Sequence, residues 1–262
     1  MFLFESEILS NVRVADDLYL LTFRAPEIAL RAQPGQFVHV RCNKGEHPFL
    51  RRPFSIYLVE RETGMVKVLY KTVGIGTALL AEKRKGEQLD VLGPLGKGFN
   101  SKAVQKSALL IGEGAGLASL MFLAEDLRKR GVEVSAILGG QRETVHIGKR
   151  YFKALGVKVE TVEGDTKKEE YQREMAELFR EALGKGVDRA FGCGSNHLLA
   201  LTAHVARMLK IPYEVSIYQN MACGVGACLC CVRKIREEGK LTYKLVCKDG
   251  PVFNAEEVVW EV

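Results

Sequence analysis

A group of cysteines near the end of the chain constrains its structure more than any other sequence feature. Five of the seven cysteines lie between residues 221 and 250, namely Cys223, Cys228, Cys230, Cys231 and Cys247. The spacing Cys-x4-Cys-x2-Cys followed by a distant cysteine is that of plant-type [2Fe–2S] ligation. A short loop supplies three thiolates to such a cluster, and a separate segment supplies the fourth. We therefore predict that Cys223, Cys228, Cys231 and Cys247 bind a [2Fe–2S] cluster.

The residues between these cysteines suit a tight loop. Gly224 and Gly226 can adopt left-handed dihedral angles, which brings backbone N–H groups close to the sulfurs. A four-cysteine zinc site and an unmetallated group of thiols are the alternatives. Structural zinc sites more often contain two short cysteine pairs, whereas this segment has only Cys228 and Cys231. Cys230 is interpreted as a bystander thiol. The alternative is that Cys228 and Cys230, rather than Cys228 and Cys231, form the short ligand pair.

The composition indicates a soluble globular protein with a sizeable core. The chain has 262 residues, of which 47% are hydrophobic and 27% are charged. Its net charge of +6 is spread over segments of mixed sign, so we expect no nucleic-acid partner. No apolar stretch reaches the roughly 18 residues of a membrane helix, and we expect neither membrane association nor a secretory signal. Seven cysteines in a chain without an expected secretory signal indicate the reducing cytoplasm.

The hydrophobic pattern divides the chain into three predicted parts. Residues 1–100 show short alternating strands separated by glycine and proline turns, which predicts an antiparallel β-barrel. Residues 101–212 alternate between strands and helices, which predicts a parallel α/β nucleotide-binding domain. Residues 213–262 would form a small cluster-binding subdomain. The predicted helices of the second part are 117–130, 142–155, 168–183 and 196–209.

Two segments of the predicted barrel suit a nucleotide cofactor. The first is Arg51-Arg52-Pro53-Phe54-Ser55, whose arginine, aromatic ring and hydroxyl suit a phosphate, a ring face and a ring nitrogen. The alternative is a charged turn that enters a strand. The second is Gly74-Ile75-Gly76-Thr77, which precedes a helix and offers backbone N–H groups to a pyrophosphate. Here the alternative is a helix N-cap with a flexible turn.

Two glycine-rich turns follow strands of the predicted parallel sheet. Gly112-Glu113-Gly114-Ala115-Gly116 opens a helix after the first strand, where open α/β sheets bind nucleotides. Gly192-Cys193-Gly194-Ser195 lies at the end of a later strand, and a buried structural cysteine is the alternative role for Cys193. None of the five histidines shows a ligand spacing with another histidine or with the cysteines.

The order of these segments resembles the ferredoxin–NADP reductase superfamily. Within it, the chain is most similar to the electron-transfer subunits of NAD-dependent dihydroorotate dehydrogenases of type B, and the resemblance covers essentially all residues. Its most specific parts are Arg52–Ser55, Gly93–Gly96, the cysteine loop and Cys247–Phe253. The resemblance implies an oxidoreductase subunit that binds FAD as well as the cluster.

The resemblance also implies the residues that hold each cofactor. The implied FAD residues are Arg52, Pro53, Phe54, Ser55, Leu69, Tyr70, Lys71, Gly76 and Thr77. Arg52 would neutralise the pyrophosphate and Ser55 would bond near the flavin N5. The implied residues of the nucleotide domain are Gly112, Gly114, Gly116 and Cys193. The four cysteines named above would hold the cluster.

The activity implied for the family follows from what the cofactors carry. A flavin exchanges a hydride with nicotinamide, whereas an iron–sulfur cluster accepts one electron at a time. In the family, a separate FMN-containing subunit oxidises dihydroorotate, and electrons pass through the cluster and FAD to NAD+ in pyrimidine biosynthesis. Two catalytic and two electron-transfer subunits form a heterotetramer. We therefore expect no dihydroorotate oxidation by this chain alone.

The nucleotide domain departs from the family pattern at three places. Glu113 replaces a common glycine, Ser195 replaces the usual proline after Cys-Gly, and Glu163-Gly164-Asp165 stands where Asp-Gly-Ser is common. A carboxylate at position 113 would repel a dinucleotide pyrophosphate unless it points away. We therefore hypothesise that NAD(H) binds weakly or that another electron carrier replaces it.

Two other functions remain as alternatives. The small subunit of a bifurcating ferredoxin–NADP oxidoreductase or of a sulfide dehydrogenase has the same order of domains. One cluster ligand in that group is often aspartate, and the four cysteines here favour the dihydroorotate type. A non-catalytic zinc-bearing interaction module is the other alternative, but it has no need of the Arg52–Ser55 segment.

Overall fold

The computed structural model of the chain describes residues 2–45 and 47–261. Its first part contains strands β1 (Phe2–Arg13), β2 (Leu18–Arg24), β3 (Phe37–Arg41), β4 (Arg52–Glu60), β5 (Met65–Lys71) and β6 (Gln88–Leu95), with helices α1 (Pro26–Arg31) and α2 (Ile75–Glu82). The six strands form a closed antiparallel barrel in the order β1-β2-β5-β4-β3-β6, and β6 pairs back onto β1. The predicted barrel is confirmed.

The barrel interior is filled by alternate residues of its strands. In β3, Val38 and Val40 point inward and are fully buried, as the period of two requires. His39 lies between them on the outer face, yet it is also fully buried because another part of the chain covers it. The sequence pattern did not predict α1, whose short first turn begins at Pro26, a residue with a preset helical φ.

The second part has the predicted alternation of strands and helices. Its elements are β7 (Ser107–Glu113), α3 (Leu117–Lys129), β8 (Glu133–Gly140), α4 (Arg142–Ala154), β9 (Lys158–Glu163), α5 (Glu169–Gly184), β10 (Arg189–Cys193), α6 (Asn196–Met208) and β11 (Tyr213–Ser216). Strands β7 to β11 are parallel to one another. The predicted parallel α/β fold is confirmed, and no helix in the described ranges is long and apolar enough to cross a membrane.

The C-terminal residues form a hairpin and then return to the parallel sheet. Strands β12 (Val232–Glu237) and β13 (Lys240–Leu245) pair with each other, and β14 (Val252–Asn254) pairs antiparallel with β11. The large sheet therefore has the order β14-β11-β10-β7-β8-β9. Because β11 and β14 both lie within residues 213–262, this sheet continues past residue 212 into the range predicted for the cluster subdomain.

The glycine-rich end of the barrel is fixed against the C-terminal segment. Strand β6 continues through Gly93 and Pro94 to Leu95, so this glycine-containing segment belongs to the barrel. A Cβ atom on Gly96 would lie 2.6 Å from the carbonyl oxygen of Gly250, and Lys97 donates its backbone N–H to that same oxygen. The barrel therefore meets the cysteine-containing segment directly.

One exposed carboxylate anchors the entry to the parallel sheet. The backbone N–H groups of Gln105, Lys106 and Ser107 all donate to Asp188 Oδ2, just before β7 begins. The N–H groups of Lys106 and Ser107 are the main cause of the lowered pKa of Asp188. This side chain thus ties the start of β7 to the start of β10.

We expect Asp188→Asn to lower the free energy of unfolding at neutral pH by about 0.5–1 kcal/mol, since the exposed site is screened by water. A depressed folded pKa contributes stability above the ordinary carboxyl pKa, and this stability is lost as the pH falls through the folded value. Urea unfolding should therefore separate the two proteins near pH 7 and much less near pH 3. Asp16→Asn, at an exposed ion pair with Arg13, is the matched control. An equal loss at both pH values would contradict this assignment.

Candidate functional site

A cleft of about 380 Å³ lies where the barrel, the parallel sheet and the segment before the cysteine loop meet. Its barrel wall contains eight of the nine residues predicted to bind FAD: Arg52, Pro53, Phe54, Ser55, Leu69, Tyr70, Lys71 and Thr77. The opposite wall contains Glu113, Gly116 and Cys193 from the carboxyl ends of β7 and β10. Tertiary structure thus brings the barrel segments and the glycine-rich turns to one place.

Arg51 and Arg52 are adjacent but have different partners. Arg51 makes a bidentate ion pair with Asp90, with N–O distances of 2.7 and 2.8 Å. Arg52 lines the cleft and donates to the carbonyl oxygen of Leu50 at 2.6 Å, and no carboxylate among residues 2–45 and 47–261 pairs with it. An uncompensated guanidinium in a cleft suits an anionic phosphate.

Gly76, the ninth predicted FAD residue, acts through Arg52. A Cβ atom on Gly76 would lie 3.2 Å from Arg52 Nε, so the absence of a side chain lets the guanidinium lie against the first turn of α2. The Thr77 hydroxyl accepts the N–H groups of Val73 and Gly74 at 2.9 and 3.1 Å. It thereby fixes the turn that aims the start of α2 at the cleft, so the capping and phosphate-binding interpretations are compatible.

Aromatic side chains form part of the barrel side of the cleft. The ring centroids of Phe54 and Tyr70 are 5.5 Å apart, and Tyr70 also stacks with Tyr19 at 5.6 Å. The Tyr70 hydroxyl donates to Asn11 Oδ1 at 3.1 Å, and burial raises its pKa above the ordinary value. This hydroxyl stays protonated, so Tyr70 offers ring surface rather than charge. A flat heteroaromatic ring fits such a wall.

A second cleft of about 590 Å³ runs along the carboxyl ends of β7, β8 and β9. Gly114, with a φ of +55°, lies in it, together with Arg142, Glu163 and Asp165. Glu163 is already paired with His146 at 3.0 Å. This is the edge at which open α/β sheets bind nucleotides, but its charges are mixed.

The predicted glycines of the nucleotide domain have different roles. Gly112 lines neither cleft. A Cβ atom there would lie 2.5 Å from Leu117 in α3. Gly112 therefore serves helix packing. A Cβ atom on Gly116 would lie 2.7 Å from the carbonyl oxygen of Cys193, so Gly116 allows α3 to approach β10. Cys193 is buried at the cleft, and burial raises its pKa.

Glu113 and Ser195, two departures from the family pattern, contact each other. The buried carboxylate of Glu113 accepts the backbone N–H of Ser195 at 2.8 Å and the side-chain amide of Gln172 at 3.2 Å. A proline at position 195 has no N–H to donate, so the two departures form one interaction. The carboxylate faces α5 and the start of α6. It therefore points away from the second cleft but still borders the first.

The four predicted cluster cysteines lie as two pairs. The N–H of Cys228 is 3.4 Å from Cys223 Sγ, and the N–H of Cys247 is 3.4 Å from Cys231 Sγ. In the described residues, no three His, Cys, Asp or Glu side chains are drawn together closely enough for a single metal ion. Each iron of a [2Fe–2S] cluster takes two protein ligands, so a two-plus-two arrangement fits such a cluster.

The loop backbone is also arranged for thiolates. Gly224 and Gly226 have φ values of +72° and +87°, as expected for a tight turn. Burial raises the pKa of Cys223, but the N–H groups of Val225, Cys228 and Ala227 outweigh it, and the pKa falls to about 6. Burial and the adjacent Cys231 thiol raise the pKa of Cys247 to about 12. Among the four predicted cluster cysteines, Cys223 is therefore the one whose pKa favours the thiolate.

Cys230 stands apart from the two pairs. Its thiol lies 3.7 Å from the carbonyl oxygen of Asn220 and is exposed to solvent. No hydrogen bond joins it to any of the four predicted ligands in the described part of the chain. Its position supports the interpretation as a bystander.

Two groups of cleft residues were missed by the sequence patterns. Ser216, Ile217, Tyr218, Gln219 and Met221 line the cleft immediately before the cysteine loop. The only sequence signal for these residues was their position between the end of β11 and Cys223. Phe37 lines the cleft from the outer face of β3, and its neighbour on that face, His39, lies under the loop. Strand alternation assigns both to the outer face but does not show what covers it.

Two family descriptions match parts of the chain. Residues 5–99 match the oxidoreductase FAD-binding domain, and residues 219–259 match the iron-sulfur cluster binding domain of dihydroorotate dehydrogenase B. The matches coincide with the barrel and with the cysteine segment. The predicted FAD and cluster cofactors are thereby confirmed.

Several full-length relatives share one description, the electron transfer subunit of dihydroorotate dehydrogenase B (NAD+). That of Desulforamulus reducens is 33% identical over 259 residues, with 98% of both chains covered. That of Caldanaerobacter subterraneus subsp. tengcongensis is 37% identical over 257 residues, again with 98% of both covered. That of Geobacillus kaustophilus is 38% identical over 255 residues, with 96% of both covered.

Solved structures give the same fold. A structure of the NADH-dependent reduced ferredoxin-NADP oxidoreductase, described in terms of flavin-based electron bifurcation, has a TM-score of 0.83 and 26% identity, covering 98% of this chain and 90% of that one. A ferredoxin NADP+ reductase from Neisseria gonorrhoeae with bound FAD and NADP has a TM-score of 0.63 and 19% identity, covering 79% and 91%. The second likeness shows the fold alone.

The neighbouring exposed cysteines allow a matched test of the ligand set. We expect Cys228→Ser to lose most of the iron and acid-labile sulfide, because it removes one ligand of a pair. Cys230→Ser should retain about two irons per chain after anaerobic purification. Iron and sulfide analysis with the visible spectrum measures both. If iron is lost from Cys230→Ser and kept in Cys231→Ser, the alternative Cys228-x-Cys230 ligand pair is the correct one.

Proposed function

This chain belongs to the family of electron transfer subunits of dihydroorotate dehydrogenase B, and we propose that it passes electrons between a dihydroorotate-oxidising partner subunit and NAD+. The path runs through a [2Fe–2S] cluster and FAD, and the reaction serves pyrimidine biosynthesis. The observation that carries this proposal is the shared cleft. Its walls contain the predicted FAD residues and also Met221, two residues before the first cluster cysteine.

The barrel side of the cleft supports a role in binding FAD. Bound there, the flavin supplies the exchange between a two-electron hydride and single electrons. Arg52 neutralises a phosphate beside the first turn of α2, and Gly76 permits its close approach. Phe54 and Tyr70 provide an apolar wall for a flat ring, while Ser55 offers a hydroxyl at its edge. These residues would orient the cofactor.

The cysteine loop supports a role as the one-electron site. Cys223, Cys228, Cys231 and Cys247 would hold the cluster, and backbone N–H contacts join them as the pairs Cys223–Cys228 and Cys231–Cys247. Gly224 packs against His39 on the outer face of β3, so the loop lies on the outer face of the barrel.

The assembly follows from the same proposal. The catalytic partner is an FMN-containing dihydroorotate dehydrogenase subunit, and two copies of each subunit form a cytoplasmic heterotetramer. Residues 1–100 hold FAD, residues 101–212 hold the nicotinamide nucleotide, and residues 213–262 hold the cluster. The name shared by the relatives supports the existence of a catalytic partner.

A second candidate function is that of the small subunit of a bifurcating oxidoreductase. The solved bifurcating oxidoreductase has a TM-score of 0.83 over 98% of this chain, which favours this second candidate. The similarity concerns the fold. The two functions differ in the electron donor. Dihydroorotate with the catalytic partner reduces the cofactors in the first case, and reduced ferredoxin does so in the second.

The function is tested by spectra of the anaerobic protein, alone and with the FMN subunit. The chain alone should show flavin and iron–sulfur absorbance that dihydroorotate does not bleach. Addition of the partner should make bleaching by dihydroorotate prompt, with NAD+ restoring the colour. An unbleached spectrum in the presence of an active partner would contradict the proposal, and bleaching by reduced ferredoxin instead would favour the second candidate.

We expect the carboxylate of Glu113 to make NAD(H) binding weaker than in the rest of the family. Its carboxylate sits at the start of α6, and it borders the cleft beside Cys193 and Gly194. It does not line the second cleft, so it would oppose only a nucleotide that reaches into the first cleft, and it also occupies the favourable end of the helix dipole. We therefore keep the hypothesis that NAD(H) binds weakly or that another carrier replaces it.

We expect Glu113→Gln to tighten NADH binding about tenfold, the effect of removing roughly 1.4 kcal/mol of charge repulsion. The amide oxygen still accepts the N–H of Ser195, so the start of α6 keeps its partner. Isothermal titration with NADH measures both affinities, and Glu160→Gln on the exposed edge of β9 controls for net charge. Ordinary micromolar binding by the unaltered chain, unchanged in Glu113→Gln, would refute the hypothesis.

A further inference from the structure

The second cleft, at the carboxyl ends of β7, β8 and β9, has the size of a site for half of a dinucleotide. Its volume is about 590 Å³, within the range of small-molecule sites. At its base, a Cβ atom on Gly140 would lie 3.3 Å from the backbone nitrogen of Gly114, so the missing side chain leaves that turn uncovered. Glu113 does not line this cleft. An adenosine phosphate can therefore approach the turn without meeting the Glu113 carboxylate.

Two carboxylates lie at the end of β9 in this cleft. Glu163 ends the strand, and Asp165 follows in the next turn. The backbone N–H of Gly164 donates to the Gly140 carbonyl at 3.0 Å, which fixes this turn against the end of β8. Asp165 accepts the N–H of Lys167 at 3.1 Å and has no basic side-chain partner in the described ranges of the chain. Because serine is common at position 165 in the family, the cleft carries an added negative charge.

Each basic side chain among the described residues that line the cleft already faces a carboxylate. Lys71 Nζ lies 2.8 Å from Asp17 Oδ2. Arg142 Nε lies 3.9 Å from Glu163 Oε2, and His146 Nε2, one turn further along α4, lies 3.0 Å from Glu163 Oε1. The cleft therefore offers carboxylate oxygens to a hydroxyl donor, whereas its cations are already compensated.

This pattern of charges distinguishes two kinds of adenosine ribose. A free 2′-hydroxyl can donate a hydrogen bond to a carboxylate, whereas a 2′-phosphate carries a charge of about −2 at neutral pH and is repelled by one. In open α/β sheets an acidic side chain accepts the 2′-hydroxyl, and an arginine accommodates the 2′-phosphate. Here the arginine that could bind such a phosphate, Arg142, lies beside Glu163.

We propose that Glu163 and Asp165 are specificity-determining residues that admit a dinucleotide with a free adenosine 2′-hydroxyl and exclude one with a 2′-phosphate. The inference rests on the proposed function, because it takes residues 101–212 to hold the nicotinamide nucleotide. Glu163 acts in two ways, since it accepts the hydroxyl and compensates the charge of Arg142. Asp165 adds repulsion that no basic side chain of the described residues offsets.

Isothermal titration of the protein with ADP-ribose and with 2′-phospho-ADP-ribose tests the inference. Both probes lack the nicotinamide ring, so they report on the second cleft without reaching toward Glu113. We expect ADP-ribose to bind at least about tenfold more tightly to the unaltered protein. Asp165→Ser and Glu163→Gln should each reduce this preference about tenfold, because each removes one negative charge near the 2′ position. Equal affinity for the two probes, or an unchanged preference in both variants, would overturn the inference.

Two further variants identify the charges that matter. Combining Glu163→Gln with Arg142→Gln should remove the affinity for 2′-phospho-ADP-ribose that Glu163→Gln alone gains, since Arg142 is the group that Glu163 compensates. Glu160→Gln is the matched control, because Glu160 is exposed on the same strand and lines neither cleft. If Glu160→Gln reduces the preference as much as Glu163→Gln does, net charge is the cause and the assignment is wrong.

A last measurement needs no variant. Repulsion between exposed charges is screened by salt, so the preference of the unaltered protein for ADP-ribose should shrink as the salt concentration rises. A preference that does not change with salt has a steric cause and overturns the inference, as does the absence of binding of either probe. In those cases the reduction of FAD and the cluster by dihydroorotate still tests the proposed function. An unbleached spectrum beside a salt-dependent preference would overturn the proposed function alone.

Discussion

The contact between the end of the barrel and the residues after Cys247 is the constraint on which the rest of the structure depends. Lys97 donates its N–H to the Gly250 carbonyl, and Gly96 allows the two backbones to approach. The next residues form β14, which adds to β11 at the edge of the parallel sheet. This one junction joins three parts that carry different chemistry. Together with the approach of Gly224 to His39, it fixes the cysteine loop relative to the barrel.

The junction explains why one cleft serves all three parts. The barrel supplies a cation and aromatic surface, the sheet supplies the ends of β7 and β10, and the segment before Cys223 supplies the remaining wall. Electron transfer between a flavin and a cluster needs short, dry separation rather than movable acids and bases. Phe37, Cys231 and Cys247 are all buried in this region. His39 is a buried polar side chain beside them, and Gly224 packs against it.

The nucleotide side of the molecule shows how departures from a pattern are coupled. Glu113 and Ser195 are 82 residues apart in the sequence, yet they share a hydrogen bond. A serine supplies the N–H that a proline cannot, and the carboxylate uses it. The same pair places a negative charge beside Cys193. Taken singly from the sequence, each residue predicted only a weaker nicotinamide site, and neither indicated that the two form one interaction.

The sequence by itself determined most of the secondary-structure elements and the types of residue available to bind cofactors. The period of two in β5, the apolar run of β7 and the cysteine spacing depend on neighbouring residues, so they are visible without coordinates. Only the tertiary structure decided which of these groups meet: Gly112 packs under α3, Gly76 accommodates Arg52, and His39 is covered by the cysteine loop. Such contacts join residues far apart in the chain, and their geometry depends on how sheets, barrel and loop pack together. Local periodicity carries no information on that packing, and for this reason the cleft was not predictable as a whole.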